Sequence, residues 1–322
     1  MSAASSAYHD ARARMTDRVG DTGIGYGAVV VATVLWGLGP LFVAAIDASP
    51  LTITAVRNWI AVPVMLMVAR LAKAPLTWSV MKAAVAGGVA CTLAQTLAFA
   101  SFQETSLANA VLIISIAPVL ITVVAVPMFG ERLTRAQVVL MAITMTSVAV
   151  FVISAGNTSG ASIAGDLFAV GSLVAQTAYL LCIKRARVAN VPAAAYITGV
   201  FIIGAVVVTP MAFVWGTSLA GLNAQEWGYV VVLALAVGCL GHGLMTWAQK
   251  HVNVGVASTM ILGSTVVTAA GAWVFFGQAL DAVQIVAGAV VLAAIAGILT
   301  IQIRLQPGEL TLADLAEPPF AD

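Results

Sequence analysis

The stretch from Gln103 to Ser154 reads QETSLANAVLIISIAPVLITVVAVPMFGERLTRAQVVLMAITMTSVAVFVIS. A related stretch runs from Gln249 to Thr300 and reads QKHVNVGVASTMILGSTVVTAAGAWVFFGQALDAVQIVAGAVVLAAIAGILT. Each contains Phe-Gly-x-x-Leu at the same place, and apolar runs of similar length flank that motif. Matched positions at a fixed separation indicate that the chain contains an internal repeat.

Charged residues change sides between the two copies of the repeat. Gln137 aligns with Gln284, whereas Glu104 aligns with Lys250 and Arg132 aligns with Ala279. Basic residues accumulate in cytoplasmic loops, so equivalent loops with exchanged charge are expected on opposite sides of a membrane. A chance likeness between two apolar stretches would not exchange charge in this way. The pattern predicts that the second half enters the membrane upside down.

The composition requires a membrane environment for the whole chain. Of its 322 residues 61% are hydrophobic and 8% are charged, with a mean hydropathy of +1.04. An average soluble domain has roughly 25% charged residues. A membrane-crossing helix needs about 20 apolar residues. The breaks at charges, Pro and Gly then predict an all-α membrane protein with ten spans, at 24–46, 51–71, 80–101, 106–127, 137–154, 166–186, 194–214, 227–247, 254–275 and 282–303.

The spans divide the chain into two five-helix repeats and two tails. The repeats are expected at 24–154 and 166–303, between an N-terminal tail at 1–23 and a C-terminal tail at 304–322. The first apolar run is too long for the core of a signal peptide, so it is interpreted as an uncleaved span. The last 17 residues, from Gln306, are acidic and contain three prolines, a composition typical of disorder.

The basic residues fix the expected orientation. With the N-terminus in the cytoplasm, 13 of the 14 Lys and Arg residues fall on the cytoplasmic side and none falls in the opposite loops. The remaining one, Arg57, lies inside a span. This distribution predicts a multi-pass protein of the cell inner membrane with both termini cytoplasmic.

Several short motifs follow one another in a fixed order along the two halves. They are Trp36-Gly37, Pro50 to Arg57, Ser106 to Ala110 followed by Ala117-Pro118, Phe129 to Leu133, and Gly165 to Leu167 followed by Ala178-Tyr179. In this order the sequence resembles the EamA-type branch of the drug/metabolite transporter superfamily over nearly all of residues 24–303. The resemblance implies a ten-helix bundle with a central cavity that exports or exchanges amino acids, related metabolites or drugs. The chain departs from the family pattern at Gln176, Ser264 and Gln278.

Arg57 is the charge that most needs an explanation, because an intramembrane charge costs at least ~2.5–3.5 kcal/mol on insertion scales. Its planar fork could hold a substrate carboxylate in a cavity. Alternatively, it reaches the outer interface or pairs with Asp47 or Asp166. The sequence leaves these interpretations open.

His242 is the histidine at membrane depth, and glycines flank it on both sides. Since histidine titrates near physiological pH, it could act as a proton-linked gate. The alternative is a neutral histidine bonded to a backbone carbonyl or to a Ser or Thr side chain. Gln95 falls one position out of register with His242 across the repeat, so both halves place a polar group at similar depth.

Further polar or amphipathic residues lie in mid-span and have no partners in lipid, so they are expected to face the interior. Together with Arg57 and His242, the candidate substrate-binding residues are Trp36, Gln95, Ser115, Gln176, Tyr179 and Ser264. For each polar member the alternative is a hydrogen bond between helices. Trp36 is the best cavity candidate among the tryptophans because it lies beside Gly37.

The leading functional hypothesis is a secondary transporter or facilitator that exports small metabolites, amino acids first, by alternating access. The alternatives are an intramembrane enzyme or a non-transporting scaffold. No Walker motif, metal-ligand cluster or Ser/His/Asp set occurs in the sequence, which predicts no enzyme activity, no cofactor and no metal. The expected partners are a small-molecule substrate and the lipid bilayer but no nucleic acid, and a homodimer is left open.

Overall fold

A computed structural model describes residues 3–105, 107–131, 133–154, 162–218, 222–277 and 280–305. The described residues contain ten helical segments that are long and apolar enough to cross a membrane. This confirms the all-α fold with ten spans. The C-terminal tail from residue 306, for which the sequence predicts disorder, lies outside the described residues.

The ten segments, numbered here as spans 1 to 10, follow one another with short connections. Their helices are Ala3–Ala44, Pro50–Leu71, Trp78–Glu104, Leu107–Ile114 with Ala117–Phe129, Arg135–Ser154, Ile163–Val188, Ala193–Trp215, Ala224–Ala248, Val254–Ile261 with Gly263–Phe276, and Ala282–Leu305. Most ends lie within a few residues of the predicted ones. The first helix differs, since it begins at Ala3 and therefore includes the polar residues expected to form a tail.

Spans 4, 8 and 9 are irregular, although the sequence predicted uninterrupted helices. Span 4 breaks at Ser115 and Ile116, just before Pro118, whose ring and missing N–H disfavour a continuous helix. Span 9 breaks at Leu262, which is the position equivalent to Ser115 in the other repeat. Span 8 is π-helical over Leu233–His242. Wide turns of this kind occur often at functional sites.

The same local structure precedes spans 5 and 10. Gly130 and Gly277 both have φ of 65° and end the preceding helices in the left-handed conformation that glycine tolerates best. Thr134 and Gln137 then form a reciprocal cap at the start of span 5: each backbone N–H donates to the other's side chain, at 2.8 and 3.2 Å. Asp281 and Gln284 repeat this cap at span 10, at 2.9 and 2.7 Å. The aligned Phe-Gly-x-x-Leu and Gln motifs therefore encode one turn twice.

Helix packing has the symmetry expected for inverted repeats. Span 3 packs against span 6 as span 8 packs against span 1, and span 4 packs against span 6 as span 9 packs against span 1. Spans 2, 4 and 5 also contact their own counterparts, spans 7, 9 and 10. The packing pattern is thus unchanged when the halves are exchanged. Because each half has five spans, the two halves have opposite orientations.

The outer surface of the bundle is apolar. Val123, Ile153, Val206 and Ile285 are among many large hydrophobic side chains that are exposed around the bundle. Lipid is the environment in which such a surface is stable. Below, the end of the bundle at which span 1 enters from the N-terminus is called the terminal face, and the other end the opposite face.

The shared turn gives a test of the repeat. Gly130→Ala should lower the free energy of unfolding by about 1–2 kcal/mol, because a Cβ is strained in the left-handed conformation. The measurement is denaturant unfolding of the purified protein in mixed micelles. Gly228→Ala is the control, since Gly228 lies in a helix with open space around its Cα. That variant should be neutral or slightly more stable, and equal losses in both variants would contradict the interpretation.

Candidate functional site

Arg57 lies in the interior of the bundle with 1% of its surface exposed. One terminal nitrogen, Nη2, donates to Oε1 of Gln95, while Nε has no hydrogen-bond partner. In the described part of the chain, the ion pair present is that between Lys184 and Glu131, so Arg57 has no carboxylate partner there. Its burial excludes the interpretation in which it reaches the outer interface. The bundle therefore holds an uncompensated cation, which is costly unless something binds it.

Gln95, on span 3, connects Arg57 to the second half of the chain. Its Nε2 lies 3.1 Å from Nε2 of His242 and 3.1 Å from Sγ of Cys91. Arginine can only donate hydrogen bonds, so the carbonyl end of the Gln95 amide must face Arg57. Its NH₂ end must then face His242. The orientation of this amide is thus fixed by Arg57.

His242 is in consequence assigned as one neutral tautomer. Because Gln95 donates to Nε2, that nitrogen must be an acceptor and the ring proton belongs on Nδ1. Nδ1 lies 2.9 Å from Oη of Tyr179, which accepts this proton's hydrogen bond. Arg57, Gln95, His242 and Tyr179 form a directional chain of hydrogen bonds, called here the central polar cluster. In this cluster His242 is bonded by Gln95 and Tyr179 rather than by a backbone carbonyl or a Ser or Thr side chain, and its role as a proton-linked gate stays a prediction.

Aromatic rings surround the imidazole of His242. The ring centroids of Trp36, Tyr179 and Phe201 lie 4.7, 5.5 and 6.2 Å from its own. Trp36 also buries its Nε1 without a hydrogen-bond partner among the described residues. With these rings the site draws on spans 1, 2, 3, 6, 7 and 8, and hence on both repeats.

Five of the eight candidate residues therefore come together, and three lie apart. Ser115 donates to the carbonyl of Val111 at 2.7 Å, within the broken span 4. Ser264 follows the break of span 9, and its carbonyl accepts from Thr268 at 2.9 Å. Gln176 is half-buried on span 6. The described contacts of these three residues do not reach the central polar cluster, and their role in binding stays a prediction.

The sequence did not single out Phe201, Cys91 and Cys239. Cys91 and Cys239 both interact electrostatically with the guanidinium of Arg57. Spacing offered a signal for the cysteines: Cys91 is one helical turn before Gln95, and Cys239 is one turn before His242. Phe201 gave none, because a phenylalanine in an apolar run looks like any other core residue.

A buried ion pair joins the two repeats at the terminal face. Nζ of Lys184, on span 6, lies 3.2 Å from Oε1 of Glu131, which follows span 4, and donates to the carbonyl of Val252 at 2.6 Å. Glu131 also accepts from the N–H groups of Val254 and Gly255 at 2.9 and 3.4 Å, at the start of span 9. A carboxylate is favourable at a helix N-terminus.

The opposite face is held by polar contacts between loops. Ser49 and Thr217 exchange backbone-to-hydroxyl hydrogen bonds of 2.8 and 3.1 Å, which join the first half to the second. The N–H of Asp47 donates to Glu226 at 3.0 Å, beside this pair. The described contacts therefore tie the two halves together at both faces, with the central polar cluster enclosed between them.

Comparison with known proteins follows the same division into halves. The sequence profile of the EamA-like transporter family matches residues 23–153 and matches again at residues 163–300. The chain belongs to the EamA-like transporter family. Since members of this family are transporters, the chain is a membrane transporter of the drug/metabolite superfamily.

A solved structure has a fold similar to that of this EamA-like transporter. It is titled "Crystal structure of protein", has 22% sequence identity, covers 89% of this chain and 99% of its own, and gives a TM-score of 0.73. At this identity the likeness concerns the fold alone. A search of curated proteins gives no match.

The hydrogen bond between Arg57 and Gln95 should make a measurable contribution to the free energy of unfolding. Gln95→Leu leaves a buried guanidinium nitrogen without its acceptor, so the free energy of unfolding should fall by about 2 kcal/mol. Denaturant unfolding in mixed micelles measures this change. Gln176→Leu is the matched control, because Gln176 lies outside the cluster, and its effect should stay within about 0.5 kcal/mol. Equal effects in the two variants would contradict the role given to Gln95.

Proposed function

We propose that this EamA-like transporter is a secondary transporter or facilitator that exports small metabolites, amino acids first, by alternating access. Arg57 holds the substrate carboxylate. The observation that carries this proposal is a guanidinium with 1% exposure, an unpartnered Nε and no carboxylate within ion-pair distance among the described side chains. A carboxylate supplied by the substrate completes this site.

The geometry of arginine supports a carboxylate as the ligand. Its guanidinium can present two parallel N–H groups to the two oxygens of one carboxylate, and charge assistance strengthens both bonds. Nε of Arg57 is already free, and the neighbouring Nη2 is bonded only to a neutral amide oxygen. A carboxylate is a stronger acceptor than that amide, so it can take over the Nε and Nη2 edge.

The surroundings of Arg57 suit an apolar or aromatic side chain. Trp36 and Phe201 pack against the imidazole of His242, within the same cluster. A separate apolar cavity of about 360 Å³ lies between spans 2, 7 and 8, and its lining includes Cys239, Ile197 and Trp247 but not Arg57. The rings within the cluster favour amphipathic carboxylates such as amino acids.

Alternating access is supported by the inverted repeats and by the contacts at the two faces. Releasing Glu131 and Lys184 would part the halves at the terminal face, whereas releasing Ser49 and Thr217 would part them at the opposite face. Two related halves can exchange such arrangements around a fixed central site. The distribution of Lys and Arg supports a cytoplasmic terminal face in a protein of the inner membrane.

Substitution of Arg57 tests the proposed binding role. Arg57→Ala should lower kcat/KM for the transported carboxylate by about a hundredfold, the equivalent of ~3 kcal/mol. Arg57→Lys should recover part of this loss, because an ammonium keeps the charge but not the planar fork. Uptake of a radiolabelled amino-acid panel into proteoliposomes is the measurement.

The control for this experiment is Arg70→Ala, on the same span. Arg70 is exposed at the terminal face, so its loss should leave transport unchanged. Arg57→Ala should remain folded, since its removal leaves no buried carboxylate without a partner. Transport of the panel at the wild-type rate by Arg57→Ala would overturn the binding role.

A reversible cross-link tests whether the opposite face must open. The paired Ser49→Cys and Thr217→Cys substitutions place two thiols where the hydroxyl contacts now join the loops. Oxidation should stop transport and a reducing agent should restore it. The controls are the Ser49→Cys variant and the Thr217→Cys variant, each made alone with the native cysteines retained. Their transport rates should not change on oxidation. Undiminished transport by the cross-linked protein would exclude opening at this point.

A further inference from the structure

We propose that Gln95 couples the binding of a carboxylate at Arg57 to the protonation of His242, so that one proton travels with each substrate carboxylate. This inference rests on the proposed function and names its coupling ion. It derives from the direction of the hydrogen bonds in the central polar cluster.

In the empty site, Gln95 opposes a proton on Nε2 of His242. Its carbonyl oxygen is bound to Arg57, and its NH₂ group faces both Nε2 of His242 and Sγ of Cys91. A proton on Nε2 would place two N–H donors against each other. Turning the amide over would relieve that contact but would point the NH₂ group at the guanidinium, which is itself only a donor. The empty cluster therefore keeps His242 neutral.

A carboxylate at Arg57 removes this restriction. Nη2 has two N–H groups, and the carboxylate displaces Oε1 of Gln95 when it takes the N–H that Gln95 now accepts. The amide is then free to turn and to present Oε1 to Nε2 of His242. In that orientation a proton on Nε2 has an acceptor, and Nδ1 keeps its bond to Tyr179.

Charge balance acts in the same direction. The titratable and charged groups that interact with His242, or with its neighbours Arg57 and Tyr179, are Arg57 on span 2, Cys91 on span 3, Tyr179 on span 6, Tyr196 on span 7 and Cys239 on span 8. No carboxylate among the described residues belongs to this set. Without substrate, an imidazolium would be a second buried cation beside Arg57; with substrate, the carboxylate compensates for it. Coupling of this kind is reciprocal, so protonation of His242 also tightens carboxylate binding.

The resulting transport step carries no net charge for a monocarboxylate. One anion binds to Arg57, and one proton from the same aqueous phase binds to Nε2 of His242. After the halves exchange their arrangement, both leave on the other side, and Gln95 returns to its bond with Arg57. For such an anion the bundle has the same charge before and after loading, so the loaded protein changes conformation without work against the membrane potential. A zwitterionic amino acid loaded with the same proton carries one positive charge across the membrane.

The test uses the purified full chain and sodium benzoate, a carboxylate with an apolar ring. We expect one proton to bind with each benzoate in the pH range in which His242 is neutral in the free protein. In that range the apparent Kd for benzoate should rise about tenfold for each unit increase in pH. In His242→Gln, benzoate should still bind and its Kd should not vary with pH. In Gln95→Leu the slope should fall below tenfold, whereas the control Gln225→Leu, at an exposed position on the opposite face, should keep it.

Nuclear magnetic resonance of isotope-labelled histidine gives a second readout that requires no transport. Benzoate should convert the neutral His242 ring, protonated at Nδ1, to the doubly protonated form at constant pH, and the resonances of His251 in the same spectrum are the internal control. Benzoate binding that depends on Arg57 but leaves His242 neutral, with a Kd independent of pH, would overturn the coupling and leave the proposed function intact. If wild type and Arg57→Gln bind benzoate equally well and transport the amino-acid panel at the same rate, both the coupling and the proposed function would be overturned.

Discussion

A guanidinium in the middle of a membrane-spanning bundle must find its hydrogen-bond acceptors in the protein or in a ligand, because hydrocarbon supplies none. Arg57 finds one acceptor, Gln95, and its Nε has none among the described groups. The orientation of Gln95, the tautomer of His242 and the hydrogen bond to Tyr179 all follow from that contact. The six spans around the cluster keep it away from lipid, and the incomplete satisfaction of Arg57 is the reason to assign it a ligand.

The scaffold is symmetric, but the site is not. The glycine turns, the reciprocal caps and the helix breaks occur in both halves, and the packing is unchanged when the halves are exchanged. At the centre, however, the first half supplies Arg57 and Gln95, and the second supplies Tyr179 and His242. Interactions that cross between the halves are the ones that a relative movement of the halves can alter. A symmetric scaffold thus positions an asymmetric site at the interface where motion has the largest effect.

The fold was predictable from the sequence because length, hydropathy and charge each constrain a membrane helix strongly. For the candidate residues, the sequence predicted how deep in the membrane each one lies but not which of them contact one another. Arg57, Gln95 and His242 stood out because polar groups are costly in mid-span. Ser115, Gln176 and Ser264 met the same criterion, yet their described contacts lie elsewhere, since depth along a helix does not fix the direction around its axis. Lys184 was overlooked because it lies next to other basic residues at a span end, and only the structure places Glu131 beside it.

The π-helical stretch Leu233–His242 has a consequence for how His242 is held. A π-helix carries more residues per turn than an α-helix and bonds each N–H one residue further back. The direction in which His242 points from the axis of span 8 therefore depends on which carbonyl accepts the hydrogen bond of each N–H in this stretch. Tightening one turn to α-helical spacing would rotate the imidazole relative to Gln95 and would also turn the rest of span 8 beyond it. The backbone register of this one helix therefore fixes the contact of His242 with the first half of the chain.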